Sequence, residues 1–113
     1  MNFLVEERTI ISVYKHPHFP KKIFLECLKN RVNNFTKDVV FVGDINLDMK
    51  RPENNDVSIL FAQKGFHSLL DFNFPSRNSG SHIDVCFSNF ADAEAFFYES
   101  YYSDHKPICI LLK

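Results

Sequence analysis

Polar residues that can carry out hydrolytic chemistry stand at the ends of apolar runs in this sequence. Asp44 and Asn46 follow DVVFV (38–42), Asp84 is the second residue of the run IDVCFS (83–88), and Asp104 and His105 precede ICILL (108–112). Ligand sites in layered α/β folds gather at strand ends. Carboxylates and imidazoles activate water and move protons, and carboxylate and carboxamide oxygens suit Mg²⁺ or Mn²⁺ better than Zn²⁺. Each residue alone also fits a turn, where Asp and Asn are common.

The elements that would position these residues follow from local patterns. RTIISVYK (8–15) predicts a strand, and the continuous apolar run 38–42 is typical of a strand buried on both faces. Between Pro20 and about Asn33 the apolar spacing of i, i+3 or i+4 predicts an amphipathic helix with this buried face: Ile23, Phe24, Cys27, Leu28 and Val32. A second helix is predicted from Asn55 or Asp56 to about Lys64. Further strands are predicted at 67–72, 83–88, 95–102 and 108–112, with a loop at 74–81. This order favours an α/β fold with a mixed sheet and flanking helices.

Bulk composition excludes several classes of protein. The 113 residues make one domain at most, and 45% hydrophobic content excludes a disordered chain. A net charge of −1 provides no general basic field, so any nucleic-acid contact must come from a local site. No apolar run approaches the roughly 20 residues that span a bilayer, and we expect no signal peptide because Glu6, Glu7 and Arg8 lie where its apolar stretch would be. Three cysteines without a C-x-x-C pair, Cys27, Cys86 and Cys109, are expected to be small buried side chains in a reducing setting. We therefore expect an intracellular protein, nuclear or cytoplasmic, with no membrane contact.

Four motifs, in order along the chain, resemble the C-terminal half of the endonuclease/exonuclease/phosphatase superfamily, the DNase-I-like phosphoesterases. They are SVY (12–14), VGDIN (42–46), SHID (81–84) and YSDHKP (102–107). The PSR stretch (75–77) resembles the P-T-R loop of retrotransposon endonucleases, with Ser in place of Thr. The resemblance covers residues 1–113 almost entirely. It implies part of a four-layer α/β sandwich, Mg²⁺- or Mn²⁺-dependent phosphodiester hydrolysis, and a DNA substrate.

The resemblance also implies a role for each matched residue. Asp44 would orient or deprotonate the attacking water, and Asn46 would hold that water or a phosphate oxygen. His105 would contact the phosphate or transfer a proton, with Asp84 accepting its other ring N–H. Asp104 would lie beside the metal, Tyr14 would offer its hydroxyl to the phosphate or leaving group, and Arg77 would contact a backbone phosphate. The adjacent His16 and His18 are expected to be solvated loop residues, because they lack convergent carboxylates.

Two motifs of the family's N-terminal half have no counterpart here. They are an Asn at the end of the first strand and a Glu after the first helix, the latter being the principal metal ligand. We therefore expect 1–113 to be a partial domain supplying one sheet plus its helices, and the isolated chain to be inactive. Alternatives are a non-catalytic remnant or binding module, and a phosphatase of the same superfamily. The 13 Phe and 4 Tyr residues then predict self-association through an apolar sheet face.

Overall fold

The structure of the chain is a computed structural model, and it describes residues 2–5, 8–32, 37–77, 79–97 and 108–112. The chain forms an α/β arrangement, as the sequence predicts. Its strands and α-helices, in chain order, are β1 (Asn2–Val5), β2 (Arg8–Tyr14), α1 (Lys21–Val32), β3 (Val39–Asp44), α2 (Asn55–Gln63), β4 (His67–Ser68), β5 (Asp84–Ser88), β6 (Ala93–Phe97) and β7 (Ile108–Leu112). A short 3-10 helix (Pro52–Asn54) precedes α2. Within those ranges, neither helix is long and apolar enough to cross a membrane.

Five strands form a mixed sheet in the order β1-β2-β3-β5-β4. Strands β2 and β3 are parallel, because α1 carries the chain across between them, and the other neighbours are antiparallel. The predicted central strand is confirmed: Val39, Val40 and Phe41 in β3 are at most 1% exposed. A continuous β-branched and aromatic run can be buried on both faces, so β3 anchors the layers above and below it.

Both helices pack on one face of this sheet. Phe24, Leu28 and Val32 of α1 are buried at i, i+4 and i+8, which places them in one stripe along the helix. The predicted burial of Ile23 and Cys27 is wrong, since both are exposed. They lie about 140° and 100° around the helix axis from Leu28, so they fall outside that stripe.

An aromatic cluster fills the helix side of the core. Phe61 of α2 stacks on Phe87 with ring centroids 4.1 Å apart, and Phe41 meets Phe61 edge-on at 5.4 Å. Phe66 joins both Phe41 and Phe61 in edge-on contacts. Offset and edge-on ring pairs stabilise the fold by about 0.5–1.5 kcal/mol each, in addition to the effect of burying their apolar area. A large part of the aromatic content is therefore core.

The opposite face of the sheet is covered by a second, two-stranded antiparallel sheet of β6 and β7. The expectation of one sheet plus helices is therefore wrong. Because side chains alternate along a strand, one side of this small sheet packs on the main sheet around Val40, Leu70 and Cys86. The other side carries Phe96 and Leu111, each 51% exposed. The described residues thus supply three layers: helices, main sheet and small sheet.

Candidate active site

Three predicted site residues stand side by side across three neighbouring strands. Tyr14 at the end of β2 is in register with Asp44 at the end of β3, and Asp44 is in register with Asp84 at the start of β5. Neighbouring Cα atoms in a sheet lie about 5 Å apart. The backbone pairing alone therefore brings a phenol and two carboxylates into one row, from positions 14, 44 and 84 of the chain.

The row projects from the face that carries the small sheet. Ile11 and Val13 of β2 contribute to the helix-side core, while Val42 and Cys86 contribute to the core on the other side. Alternation along each strand then sends Tyr14, Asp44 and Asp84 to the side of Val42 and Cys86. Tyr14 is 65% exposed and Asp84 is 8% exposed. The row therefore runs from solvent at Tyr14 to a largely buried carboxylate at Asp84.

A tight turn after β3 brings Asn46 next to the row. Asn46 has a φ of 50°, in the left-handed region that Asn tolerates. Its backbone N–H donates to Oδ1 of Asp44 at 3.0 Å, and its side-chain Nδ2 donates to the carbonyl of Lys15 at 2.7 Å. The N–H of Lys15 donates to the carbonyl of Asp44 at 2.9 Å. These bonds connect the end of β2 to the turn. They use the backbone N–H and the Nδ2 atom of Asn46 as donors, and Oδ1 is the side-chain atom that can accept a hydrogen bond.

Gly43 permits this close approach of β2 and β3. A Cβ atom built on Gly43 would overlap the backbone carbonyl oxygen of Val13. Backbone atoms cannot move aside as a flexible side chain can, so any other residue would push the two strands apart. The glycine of the VGDIN motif is thus explained by the spacing between Tyr14 and Asp44.

Asp84 is supported by a residue whose role the sequence did not reveal. The Oγ of Ser76, which is fully buried, accepts the backbone N–H groups of Ile83 at 2.9 Å and Asp84 at 3.2 Å. The N–H of Ser76 donates in turn to the carbonyl of Ser81 at 2.9 Å. The PSR loop is therefore folded back onto the start of β5. The one signal in the sequence was the hydroxyl residue at the Thr position of the P-T-R pattern.

Arg77 lies in the same loop and is half-buried. Its N–H also donates to the carbonyl of Ser81, at 3.2 Å, and its own carbonyl accepts the N–H of Gly80 at 3.1 Å. Lys50 reaches this turn from the segment after β3, with its Nζ donating to the carbonyl of Gly80 at 3.1 Å. These bonds fix the backbone of Arg77 and the ammonium group of Lys50 at this turn, near the end of the sheet that carries the row.

Asp48 is half-buried and His82 is fully buried, and the sequence analysis gave neither of them a role. Oδ1 of Asp48 accepts the N–H of His82 at 2.9 Å and that of Lys50 at 3.1 Å. Partial burial raises the pKa of Asp48, but these hydrogen bonds and the charges of Arg51 and Lys50 outweigh it and hold the pKa below the ordinary value of an Asp carboxyl. An Asp two residues before a backbone donor is a known turn pattern, so the bond to Lys50 could have been predicted.

Asp104 and His105 lie outside the described residues, and the other predicted site residues are described. His16 and His18 occupy an exposed loop after β2, where the N–H of His18 donates to Nδ1 of His16 at 3.1 Å. A cavity of about 460 Å³ opens beside them between β2 and α1, lined mainly by apolar side chains such as Phe24 and Leu28. The cavity lies on the helix side, and its lining includes Tyr14 of the row but neither Asp44 nor Asp84.

The oxygen ligands in the row and on Asn46 beside it are of the type that a hard divalent cation prefers, but they are too few to hold one. Asp44, Asn46 and Asp84 offer carboxylate and carboxamide oxygens, the ligands that Mg²⁺ prefers. Among the side chains that the structure describes, no group of three or more His, Cys, Asp or Glu residues could hold a metal ion by itself. Mg²⁺ is commonly held by one or two carboxylates together with water and substrate phosphate. The described residues therefore suit a site that the substrate and further ligands complete.

Comparison with solved structures identifies the fold. One match is the endonuclease domain of TRAS1, a telomere-specific non-LTR retrotransposon, with a TM-score of 0.77 and 20% identity over 96% of this chain and 58% of that chain. Another is the Haemophilus ducreyi cytolethal distending toxin, with a TM-score of 0.64 and 13% identity over 98% of this chain and 51% of that chain. No protein-family model and no curated protein matches. The chain has the DNase-I-like fold, and it spans between half and three fifths of these two chains.

Proposed function

We propose that this chain carries part of the active site of a metal-dependent phosphodiesterase that cleaves DNA, an endonuclease of retroelement type. The observation that carries the proposal is the register that sets Tyr14, Asp44 and Asp84 in one row on one face of the sheet. The structural likeness to a retrotransposon endonuclease domain supports the choice of a nuclease. The half-buried Arg77 and nearby Lys50 favour an anionic substrate at this end of the sheet.

The residues of the row, Asn46 beside it and His105 have distinct tasks in this proposal. Asp44 orients or deprotonates the attacking water. Asn46 holds that water by accepting a hydrogen bond at Oδ1, or holds a phosphoryl oxygen by donating an N–H of Nδ2. Asp84 fixes the ring orientation of His105, which contacts the phosphate or transfers a proton. Tyr14, the most exposed member, offers its hydroxyl to the phosphate or to the leaving oxygen.

Mg²⁺ or Mn²⁺ is the cofactor in this proposal. Asp104 would lie beside it, directly or through a water molecule, and a bound cation would neutralise charge on the phosphoryl oxygens. Arg77 would then contact a neighbouring backbone phosphate, which adds affinity without base specificity.

For the isolated chain of 113 residues we propose little or no activity. The Asn and Glu that the family resemblance implies have no counterpart in this sequence. Losing one group that stabilises the transition state commonly costs about 10²–10³ in rate. We also propose that the chain self-associates through the outer side of the small sheet, where Phe96 and Leu111 are each 51% exposed. Its setting would be intracellular, nuclear or cytoplasmic.

Nicking of supercoiled plasmid DNA tests the proposal. The chain is assayed alone and joined behind the part of the TRAS1 endonuclease domain that it does not cover. We expect the joined protein to nick DNA in Mg²⁺, and Asp44→Ala to lower its rate by about 10²–10³. Asp38→Ala, at the opposite end of the same strand region, is the matched control and should have little effect. Nicking that Asp44→Ala leaves unchanged would contradict the proposal.

Two further outcomes separate the alternatives. Nicking by the isolated chain that is lost in His105→Ala would contradict the expected inactivity of the isolated chain. Cleavage of small phosphomonoesters, without nicking, would favour a phosphatase instead of a nuclease.

A further inference from the structure

Three hydrogen bonds join the two segments that carry the candidate carboxylates. The N–H of Ile45 donates to the carbonyl of Ile83 at 2.9 Å, and the N–H of Met49 donates to the carbonyl of His82 at 2.7 Å. The third bond runs from the N–H of His82 to Oδ1 of Asp48 at 2.9 Å. The turn after Asp44 and the residues before Asp84 are therefore held together beyond the ends of the β-ladder.

Both carboxylate oxygens of Asp48 lie at the junction between these two segments. Its Oδ1 accepts two backbone N–H groups, from His82 and Lys50, and its Oδ2 lies 3.7 Å from Nε of Arg51. A carboxylate whose acceptors are occupied in this way is a poor candidate for a metal ligand or a general base. It is well suited to fixing the backbone around it.

The His82 ring forms the other half of the junction. It is fully buried, and Phe72 and Phe97 meet it edge-on at centroid distances of 5.0 and 5.5 Å. Nδ1 makes a short contact with the carbonyl oxygen of Phe74. Since a carbonyl can only accept, we assign the hydrogen to Nδ1. Nε2 has no hydrogen-bond partner within the described ranges. A buried N–H without an acceptor costs more free energy than a buried lone pair without a donor, so this environment also favours the hydrogen on Nδ1.

We propose that Asp48 and His82 are positioning residues of the candidate active site. Asp48 fixes the turn that carries Asp44 and Asn46, and His82 links that turn to the Phe74–Ser76 loop that supports Asp84. The assignment of the site rests on the proposed function, but the coupling of these segments is a property of the chain that can be measured separately.

The first test uses the full ¹⁵N-labelled chain in solution. The ring nitrogen shifts of His82 should show a neutral imidazole with the hydrogen on Nδ1. In His82→Leu and Asp48→Ala, exchange of the Ile45, Asn46 and Met49 amides should accelerate by about five- to tenfold, while amides in β3 keep their protection. In His82→Asn and Asp48→Asn a side-chain donor or acceptor remains, so exchange should return to within about twofold of the wild type.

Two results would overturn the inference. One is a His82 ring that carries its hydrogen on Nε2. The other is equal acceleration of all amides, including those of β3, because this would indicate a general loss of stability and no local positioning.

A second measurement separates this inference from the proposed function. The same chains are titrated with Mn²⁺ in the presence of a thymidine dinucleotide, whose phosphate supplies ligands to the site, and bound Mn²⁺ broadens the amide signals of residues near it. If the wild type shows no broadening but the exchange results hold, the proposed function fails and the positioning role stands. If Mn²⁺ broadens the wild type and His82→Leu to the same extent despite faster exchange, the positioning role has no consequence for the site and is refuted.

Discussion

Replacing Ser76 by alanine removes one oxygen atom from the buried loop beside Asp84. That atom accepts two backbone N–H groups, from Ile83 and Asp84, in a place with no solvent exposure. An unmatched buried donor costs about 1–3 kcal/mol. Allowing for partial relaxation of the loop, Ser76→Ala should lower the free energy of unfolding by about 2–4 kcal/mol. This is a large share of the about 5–15 kcal/mol that stabilises a typical domain.

Urea denaturation of the purified chain measures this cost. Ser76→Thr keeps the hydroxyl and adds one methyl group to a buried position, so it should cost about 1 kcal/mol. Ser79→Ala is the matched control, because Ser79 is exposed and its Oγ contacts only the Oγ of Ser81 at 3.2 Å among the described atoms. A loss below about 0.5 kcal/mol for Ser76→Ala, equal to that of Ser79→Ala, would refute the supporting role of Ser76.

Three other substitutions or reactions test the surroundings of the site. In urea denaturation, Gly43→Ala should lower the free energy of unfolding by about 3 kcal/mol, because the new Cβ meets the Val13 carbonyl. Gly65 has open space around it, so Gly65→Ala should cost about 1 kcal/mol from its positive φ alone. Equal costs would contradict the strand-spacing argument. A thiol reagent such as DTNB should modify exposed Cys27 rapidly and spare Cys86, since burial raises the pKa of that thiol to about 12; equal reactivity would contradict the described core. Because its pKa is lowered in the folded state, the ionised Asp48 carboxylate stabilises the fold above about pH 4, and this stabilisation is lost as the pH falls further. The free energy of unfolding of Asp48→Asn should therefore depend less on pH in that range than that of the wild type.

Local sequence patterns predicted the elements that position the row. After Asp38, the run 38–42 is apolar without interruption. It forms the central strand because such a run can bury all its side chains only where both faces of a sheet are covered. The spacing of Phe24, Leu28 and Val32 gave α1, but the same spacing rule admitted Ile23 and Cys27. Which flank of an amphipathic helix is covered depends on the neighbouring layer, and local periodicity carries no information about that layer.

The support behind the row could not be predicted in the same way. The hydroxyl of Ser76 binds backbone groups seven and eight residues away, and Asp48 binds His82 across 34 residues. Such contacts depend on how loops cross in space. The small sheet of β6 and β7 was missed as a covering layer for a similar reason, since two strand patterns do not reveal the sheet to which they belong.

The most direct test of the proposed site is a Mn²⁺ titration of the ¹⁵N-labelled chain in the presence of a thymidine dinucleotide. The proposed site predicts saturable broadening centred on Tyr14, Asp44, Asn46 and Asp84, and its loss in Asp44→Ala. Broadening centred instead on the exposed His16–His18 loop, or no saturable broadening at all, would contradict it.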